Sequence, residues 1–323
     1  MTVGPTDPGG LGVAAGAGLP APAASRPEAI KAIPVRHWGR WIGAFVVIYL
    51  VAALVYSFIK NQNVEWPVVW DYMFSPVTLK GLALTIELTF VSMLIGGLGG
   101  VLLAVMRLSD NYVLSGISWV YIWFFRGTPV YVQIILWANL GVFYPRLYLG
   151  IPFAGVVFGS MDSGTLVAHI VVPALLALGL NEAAYAAELV RAGIISVEAG
   201  QTEAALSLGM SPTLTMRRIV LPQAMRVIVP TFGNETISML KTTSLIAAIG
   251  GLEMFGRLQQ IYAQTFQIIP LLVVACLWYL FLTSVLTVAQ GYLEAYFGRG
   301  FGEKEAEAAE RRAAKRAARG QHV

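Results

Sequence analysis

Long apolar segments alternate with short polar ones along most of the chain, and this alternation predicts six membrane-spanning helices. The predicted spans cover residues 41–59, 78–106, 128–143, 166–189, 227–249 and 268–293. An apolar helix of about 20 residues is long enough to cross the hydrocarbon core of a bilayer. The pattern therefore predicts an all-α integral membrane protein with six transmembrane helices.

The composition agrees with a lipid environment. Of the 323 residues, 57% are hydrophobic and 12% are charged, whereas about 25% of the residues in a soluble domain are charged. The single cysteine, Cys276, lies in an apolar run and can form no internal disulfide. These features exclude an ordinary soluble domain and a disulfide-stapled secreted domain.

The distribution of basic residues predicts the topology, because short cytoplasmic loops are enriched in Lys and Arg. Most of the 22 basic residues precede the first span, follow the second or fourth span, or lie in the C-terminal tail. Both termini are therefore predicted to be cytoplasmic. The exceptions are Lys241, within the fifth span, and four residues on the predicted external side: Lys60, Lys80, Arg146 and Arg257.

The organisation of the chain follows from these spans. Residues 1–35 are rich in Gly, Pro and Ala and are predicted to be a disordered cytoplasmic tail. Residues 36–75 supply an extra N-terminal transmembrane helix and an external loop, and residues 76–298 form the main transmembrane domain. Residues 144–163 within this domain are an apolar loop interrupted by Pro and Gly. Residues 299–323 form a charged cytoplasmic tail, interpreted as a solvated helix that supports the orientation or as a docking segment.

The polar segment between the fourth and fifth spans, at about residues 191–223, carries the most specific pattern. It predicts a helix, a glycine-centred turn and a second helix, with Ser211 as the cap of the second helix and Pro212 in its first turn. Gly209 is expected to adopt a positive φ in the turn. Small residues beside the turn would let another surface approach closely. The residues of the pattern are Glu203, Ala204, Ala205, Gly209, Ile219, Leu221 and Pro222.

This segment resembles the EAA loop in the membrane subunits of ATP-binding-cassette (ABC) importers. Other segments resemble the polar amino acid permease branch of that family, and the resemblance covers roughly residues 75–297. The chain departs from the family in its extra N-terminal span, in the insert at 144–163 and at Glu87. The matching segments are 125–129 with Gln133, 184–193, 198–201, 221–224, 233–235 and 241–245.

The resemblance implies the type I ABC importer permease fold and a subunit that moves a polar amino acid across the bacterial plasma membrane into the cytoplasm. The implied partners are separate ABC ATPase subunits, an extracytoplasmic amino-acid-binding protein, membrane lipid and a second permease subunit, either the same or a homologous chain. The seven residues of the EAA pattern would couple transport to the ATPase. Glu188, by its position in the family motif, would orient the coupling loop.

The chain itself is predicted not to be an enzyme. It contains no Gly-x-x-x-x-Gly-Lys-Ser/Thr phosphate loop, so ATP would be bound by the partner subunit. No catalytic residue, cofactor, metal or nucleic acid is expected. Arg217 and Arg218, in the coupling loop, would either bind acidic positions on the ATPase or contribute to membrane orientation.

Two ionisable residues stand out within the predicted spans. Glu87 and Lys241 would each lie about 12 to 14 Å below the external end of their spans, at 1.5 Å per residue. They would form an ion pair or a substrate pocket, or one of them would extend to the interface. A cationic substrate is slightly favoured by Glu87, although an ion pair would cancel that inference. The remaining residues of the possible substrate path are Asn234, Glu235, Thr242 and Ser244.

Two other functional classes also fit a multi-span protein. A secondary carrier would place ionisable groups in the membrane, but it needs no docking loop and usually contains inverted repeats, which are not detected in this sequence. A structural or receptor protein would need neither the loop nor the buried charges. An adjacent gene for an ATPase with a phosphate loop would distinguish the importer from both.

Overall fold

The computed structural model describes residues 38–151 and 155–297. The predicted tails, at 1–35 and 299–323, lie outside this range. The structure divides between Ser57 and Phe58 into two units, whereas the sequence-based boundary falls near residue 75. Helix α1 (Trp38–Ile59) supplies the described part of the first unit through its residues 38–57, and it is apolar, with no buried residue.

The second unit is built mainly of helices. Its first half contains a 3-10 turn (Gln62–Val64), α2 (Trp66–Met73), α3 (Pro76–Arg107), α4 (Tyr112–Gly127), α5 (Val130–Ala138), α6 (Leu140–Phe143), strands β1 (Arg146–Ile151) and β2 (Val156–Asp162), and α7 (Ser163–Ala168). Its second half contains α8 (Val171–Ile195), α9 (Ala199–Ser207), α10 (Pro212–Thr215), a π-helical turn (Met216–Val220), α11 (Leu221–Thr242), a 3-10 segment (Thr243–Ile249), α12 (Met254–Thr265) and α13 (Ile268–Phe297).

Three helices in the described ranges, α1, α3 and α13, are long and apolar enough to cross a membrane. The other three predicted spans correspond to α4 with α5, to α8, and to α11 with the 3-10 segment after it. This correspondence is consistent with six spans, although their number remains a prediction.

The third predicted span starts earlier than expected. The sequence predicts a span at residues 128–143, but α4 already begins at Tyr112. The Asn111 side chain caps this helix by accepting hydrogen bonds from the backbone N–H groups of Val113 and Leu114. The composition of the Trp- and Tyr-rich stretch before residue 128 predicts an interfacial segment. This stretch instead forms a helix that is interrupted at Thr128 and Pro129 before α5 begins.

The insert at 144–163 also differs from the predicted loop, since it contains an antiparallel hairpin. Strands β1 and β2 pair from Arg146 opposite Asp162 to Ile151 opposite Val156, with an irregularity between Leu149 and Gly150. Apolar and aromatic residues on both sides of a Pro- and Gly-containing stretch are typical of a hairpin. That signal was available in the sequence.

Small residues allow α3 and α8 to pack closely, and this contact is the most extensive between any two elements. Gly96 lies against Glu182, and Gly100 lies against Ala186 and Ala187. A Cβ on Gly100 would lie 2.9 Å from backbone atoms of both alanines. The two helices run parallel, because positions later in α3 contact positions later in α8.

Hydrogen bonds attach α4 to α3 in the antiparallel direction. The Ser118 hydroxyl donates to the Leu103 carbonyl at 2.8 Å, and Arg107 Nη1 donates to Ser115 Oγ at 2.9 Å. Because Ser118, the later residue of α4, bonds to Leu103, the earlier residue of α3, the two helices run antiparallel. These contacts place the C-terminal end of α4 beside the middle of α8.

A buried carboxylate joins α3, α12 and α13. Glu253, which is 0% exposed, caps α12 by accepting hydrogen bonds from the backbone N–H groups of Phe255 (2.8 Å) and Gly256 (2.6 Å). Its Oε2 also accepts from Tyr279 at 3.3 Å and from Thr85 at 3.4 Å. A buried carboxylate requires such donors to offset its lost hydration.

The α3–α8 contact can be tested with alanine at two glycines. Gly100→Ala should lower the free energy of unfolding by about 1 to 3 kcal/mol, because the new Cβ overlaps α8. Gly116→Ala in α4 is the matched control, since a Cβ there meets nothing within 4 Å. Thermal unfolding in detergent measures both changes. Equal melting temperatures for the two variants would contradict the packing argument.

Candidate functional site

A cavity of about 470 Å³ lies where α4 gives way to α5, facing α8 and α11. Cavities of about 300 to 1,000 Å³ are typical of small-molecule sites. Its polar lining comes from α4, α8, α11 and the short break between α4 and α5, whereas α5 contributes Val130. The polar lining residues are Arg126, Thr128, Asn181, Glu182, Tyr185, Glu235, Ser238 and Thr242.

The break between α4 and α5 forms one wall of this cavity, and two amide side chains satisfy its backbone. Pro129 has no N–H group, so nearby carbonyl groups lose helical partners. Gln133 Nε2 donates to the carbonyl groups of Phe125 (3.0 Å) and Thr128 (3.1 Å). Asn181 Nδ2 donates to the Phe125 carbonyl at 2.9 Å. Non-helical backbone at membrane depth is tolerated where it is buried in protein or lines a cavity.

Glu182 is the most deeply buried charged residue of the cavity, with 4% of its surface exposed. It occupies the space left by Gly96, where a Cβ would overlap its side chain. Its Oε1 has no hydrogen-bond partner in the described ranges. Because an unpaired buried carboxylate is costly, the Glu182 carboxyl group, which lines the cavity, is suited to receive a cationic or hydrogen-bond-donating group of a ligand.

Charges of both signs line the cavity. The guanidinium of Arg126 lies over the ring of Tyr185, 5.2 Å from its centroid. Glu235 is within electrostatic range of Arg126 and of Glu182. This arrangement can bind a carboxylate at Arg126 and an ammonium group at the two glutamates.

The structure brings only part of the predicted substrate path together. Glu235 and Thr242 line the cavity, whereas Asn234 and Ser244 do not. The roles of all four remain predictions.

The predicted meeting of Glu87 with Lys241 is not found. Both residues are exposed on this chain and lie outside the cavity lining. Among the described residues, the ion pair present joins Arg191 to Glu188. Similar depth in the membrane does not by itself bring two side chains together.

Sequence reasoning missed the residues that contribute most of the charge to the cavity. Glu182 is a carboxylate inside the predicted span 166–189, the same kind of signal that drew attention to Glu87. Arg126 was assigned to the cytoplasmic side because the third span was started at residue 128. Asn181 and Ser238 carried no signal of their own in the sequence, and Tyr185 was noted only as part of the matching segment 184–193.

The coupling segment has the predicted helix, turn and second helix. Gly209 has φ +81° after α9, its N–H donates to the Leu206 carbonyl at 2.9 Å, and the Met210 N–H donates to the Ala205 carbonyl at 3.2 Å. These two bonds are those of a Schellman C-cap. Ser211 caps α10 by accepting from the Leu214 N–H at 3.4 Å, and Pro212 is its first residue.

The predicted docking face needs one correction. Glu203 and Ala204 are exposed, but Ala205 is 4% exposed and faces its own chain, because adjacent residues on a helix point in different directions. Ala205 therefore cannot lie on an outer docking surface with Ala204. The other predicted coupling residues include Ile219, half-buried in the π-helical turn, and Leu221 and Pro222, exposed at the start of α11.

Comparisons with known proteins show that this helical bundle is a membrane transport subunit. Residues 96–298 match the family described as binding-protein-dependent transport system inner membrane component. The chain belongs to this family and is a permease subunit of an ABC importer, not itself an enzyme.

Several relatives are amino acid permeases. The chain is 45% identical to the arginine transport system permease protein ArgU of Corynebacterium glutamicum over 282 residues, which cover 87% of each protein. It is 37% identical to the nopaline transport system permease protein NocM of Agrobacterium fabrum, over 66% of this chain and 84% of that protein.

Solved structures share the fold. A crystal structure of an amino acid ABC transporter with histidines aligns with a TM-score of 0.59 and 31% identity, covering 69% of this chain and 95% of that chain. An inward-facing MetNI methionine ABC transporter aligns with a TM-score of 0.51 and 18% identity, covering 68% and 96%. Together with the family match, they confirm the predicted type I ABC importer permease fold.

The role of Gln133 at the helix break can be tested by Gln133→Met, which preserves side-chain length but removes both donors. The carbonyl groups of Phe125 and Thr128 then lose partners, at a cost of about 1 to 3 kcal/mol. Amide hydrogen exchange across residues 124–136 should become faster. Asn139→Ala is the control, because Asn139 makes an exposed bond to the Ile135 carbonyl. Unchanged exchange in Gln133→Met would show that the break is stabilised by other contacts.

Proposed function

We propose that this permease subunit carries a polar amino acid into the cytoplasm and that its substrates are cationic amino acids. The observation that supports this most directly is the buried carboxyl group of Glu182, which has an unpaired oxygen and lines a cavity that also contains Arg126. A ligand ammonium group would supply the missing partner. Arg126 would bind the α-carboxylate of the same molecule.

The charges favour a cationic side chain over a neutral one. Arg126 and one glutamate can neutralise the α-carboxylate and α-ammonium groups of an amino acid. The second glutamate then remains available for a positively charged side chain, whereas a neutral side chain would leave it unpaired. The arginine transport role named for the relative ArgU is consistent with this substrate class.

Transport would be driven by separate ATPase subunits that dock on the coupling segment. Glu203 and Ala204 are exposed there, and Leu208 at the turn is 83% exposed. An apolar side chain exposed beside a rigid turn suits a protein contact. The complete transporter would contain a second permease subunit and an external amino-acid-binding protein, with both termini of this chain in the cytoplasm.

The substrate proposal predicts the effect of Glu182→Gln. Uptake of labelled arginine by the reconstituted transporter should fall at least about tenfold, because a charge-assisted hydrogen bond is lost. Glu65→Gln makes the same chemical change at an exposed residue outside the cavity and should stay within about twofold of wild type.

Competition by unlabelled amino acids completes this test. Basic amino acids should compete with labelled arginine more strongly than acidic or amide-containing ones. Wild-type arginine uptake by Glu182→Gln, with normal protein level, would exclude this cavity as the site. Stronger competition by acidic amino acids would exclude the cationic class.

The coupling proposal predicts that Gly209→Val separates membrane insertion from ATPase docking. A β-branched residue disfavours the positive φ of Gly209, so the turn should change direction although no neighbour lies within 4 Å of a Cβ there. The variant should reach the membrane at normal level, lose the ATPase in a pull-down and lose ATP-driven uptake.

Two controls accompany Gly209→Val. Gly209→Asn should retain more ATPase, because asparagine tolerates positive φ better than valine. Thr213→Ser is a small change at an exposed position and should retain both ATPase and uptake. Normal ATPase retention and uptake in Gly209→Val would show that the segment is not the coupling element.

A further inference from the structure

A second cavity of about 470 Å³ lies next to the one described above. We refer to the first as the upper cavity and to the second as the lower cavity. The two share Arg126, Gly127 and Tyr185 as lining residues. The remaining polar and aromatic lining of the lower cavity consists of Arg107, Trp119, Trp123 and Glu188.

The order of residues along α8 shows that the cavities are stacked. Glu182 lines only the upper cavity, Tyr185 lines both, and Glu188 lines only the lower one. Helix α8 continues from Glu188 toward α9 and the coupling segment. The lower cavity therefore lies between the upper cavity and the end of the bundle that carries this segment.

Helix α4 shows the same order in the opposite chain direction. Thr128, just after α4, lines only the upper cavity, Arg126 lines both, and Trp123 lines only the lower one. Arg107, in the last turn of α3, also lines the lower cavity. Helices α8 and α4 thus agree on the position of the shared wall, and α3 contributes to the lower cavity alone.

The side chains at this wall are held together by a cation–π contact. The guanidinium carbon of Arg126 lies 5.2 Å from the centroid of the Tyr185 ring. Both side chains are partly accessible, Tyr185 being 38% exposed, so they have room to separate. Contacts of this kind at accessible sites are weak enough to break and reform during a transport cycle.

We propose that the contact between Arg126 and Tyr185 is an internal gate that divides the amino-acid path of this subunit into two stations. This proposal rests on the proposed function, in which the upper cavity binds the amino acid. When the Arg126 guanidinium turns from the Tyr185 ring to the carboxylate of the amino acid, the wall between the cavities opens.

The lower cavity has the charges needed for a second station. Arg107 and Arg126 can receive a carboxylate, and Glu188 can receive an ammonium group. Glu188 is fixed by Arg191, whose Nη2 donates to its Oε2 at 2.7 Å. Since Arg126 lines both cavities, its guanidinium can accompany the carboxylate from one station to the next.

Cysteine labelling tests the gate in inside-out membrane vesicles that contain the complete transporter. Cys276 is replaced by Ser, and Thr242, which lines only the upper cavity, is replaced by Cys. A membrane-impermeant thiol reagent then reaches position 242 from the side of the coupling segment. Tyr185→Leu should label about fivefold faster than wild type, the change in open population that loss of one cation–π contact allows.

Tyr185→Phe keeps the aromatic ring and should label at a rate close to wild type. Equal rates for Tyr185→Leu and wild type would overturn the gate. If Tyr185→Leu fails to assemble, substitutions of Arg126 replace it in the test. Arg126→Met should then label faster than Arg126→Lys, which keeps the cation, and equal rates would again overturn the gate.

Protection by substrate separates this proposal from the proposed function. Arginine should slow the labelling of position 242 in the Tyr185→Leu background, where the wall is already open and the amino acid acts only by occupying the upper cavity. If arginine protects position 242 but Tyr185→Leu labels no faster than the protein without a gate substitution, the gate is overturned and the proposed function is not. Absence of protection by any basic amino acid would instead contradict the upper cavity as the substrate site.

Discussion

The close parallel contact between α3 and α8 is the constraint on which the rest of the structure depends. Glycines on α3 and alanines on α8 bring the two backbones together, and Gly96 leaves the space that Glu182 occupies. Association of helices in lipid relies on such close packing, because lipid is as apolar as the side chains. The same contact therefore stabilises the bundle and positions the buried carboxylate beside the cavity.

A second constraint is the need to pair every buried backbone group. The break after α4 forms one wall of the cavity. It is compatible with a membrane environment because Gln133 and Asn181 donate hydrogen bonds to carbonyl groups that lack a helical partner. Asn181 and Glu182 are adjacent on α8, so the residue that supports the break lies next to the residue with the unpaired oxygen. Structural support and the proposed ligand recognition thus come from one turn of one helix.

Features set by local chemistry were predictable from the sequence. The apolar runs indicated α1, α3 and α13, and Gly209 with Ser211 and Pro212 indicated the coupling turn. Features that depend on which face of a helix packs against its neighbours were not predictable from the sequence. Counting residues gives the depth of Glu87 and Lys241, but only packing shows that they lie outside the cavity lining.

The same reasoning explains what was missed. Glu182 was as visible in the sequence as Glu87, but its position opposite Gly96 depends on how α3 meets α8. Arg126 was placed outside the membrane because the aromatic stretch before it was assigned to the interface. The hairpin at 146–162 was missed because its proline and glycines were interpreted as breaking an irregular loop.

The most direct test of the account is a structure of the complete transporter determined with a saturating cationic amino acid. The proposed function predicts density for that molecule in the upper cavity, with an ammonium or guanidinium nitrogen within about 3.2 Å of a carboxylate oxygen of Glu182 and the carboxylate of the ligand beside Arg126. An amino acid bound elsewhere in this subunit, with no ligand group on the Glu182 carboxylate, would contradict the central claim.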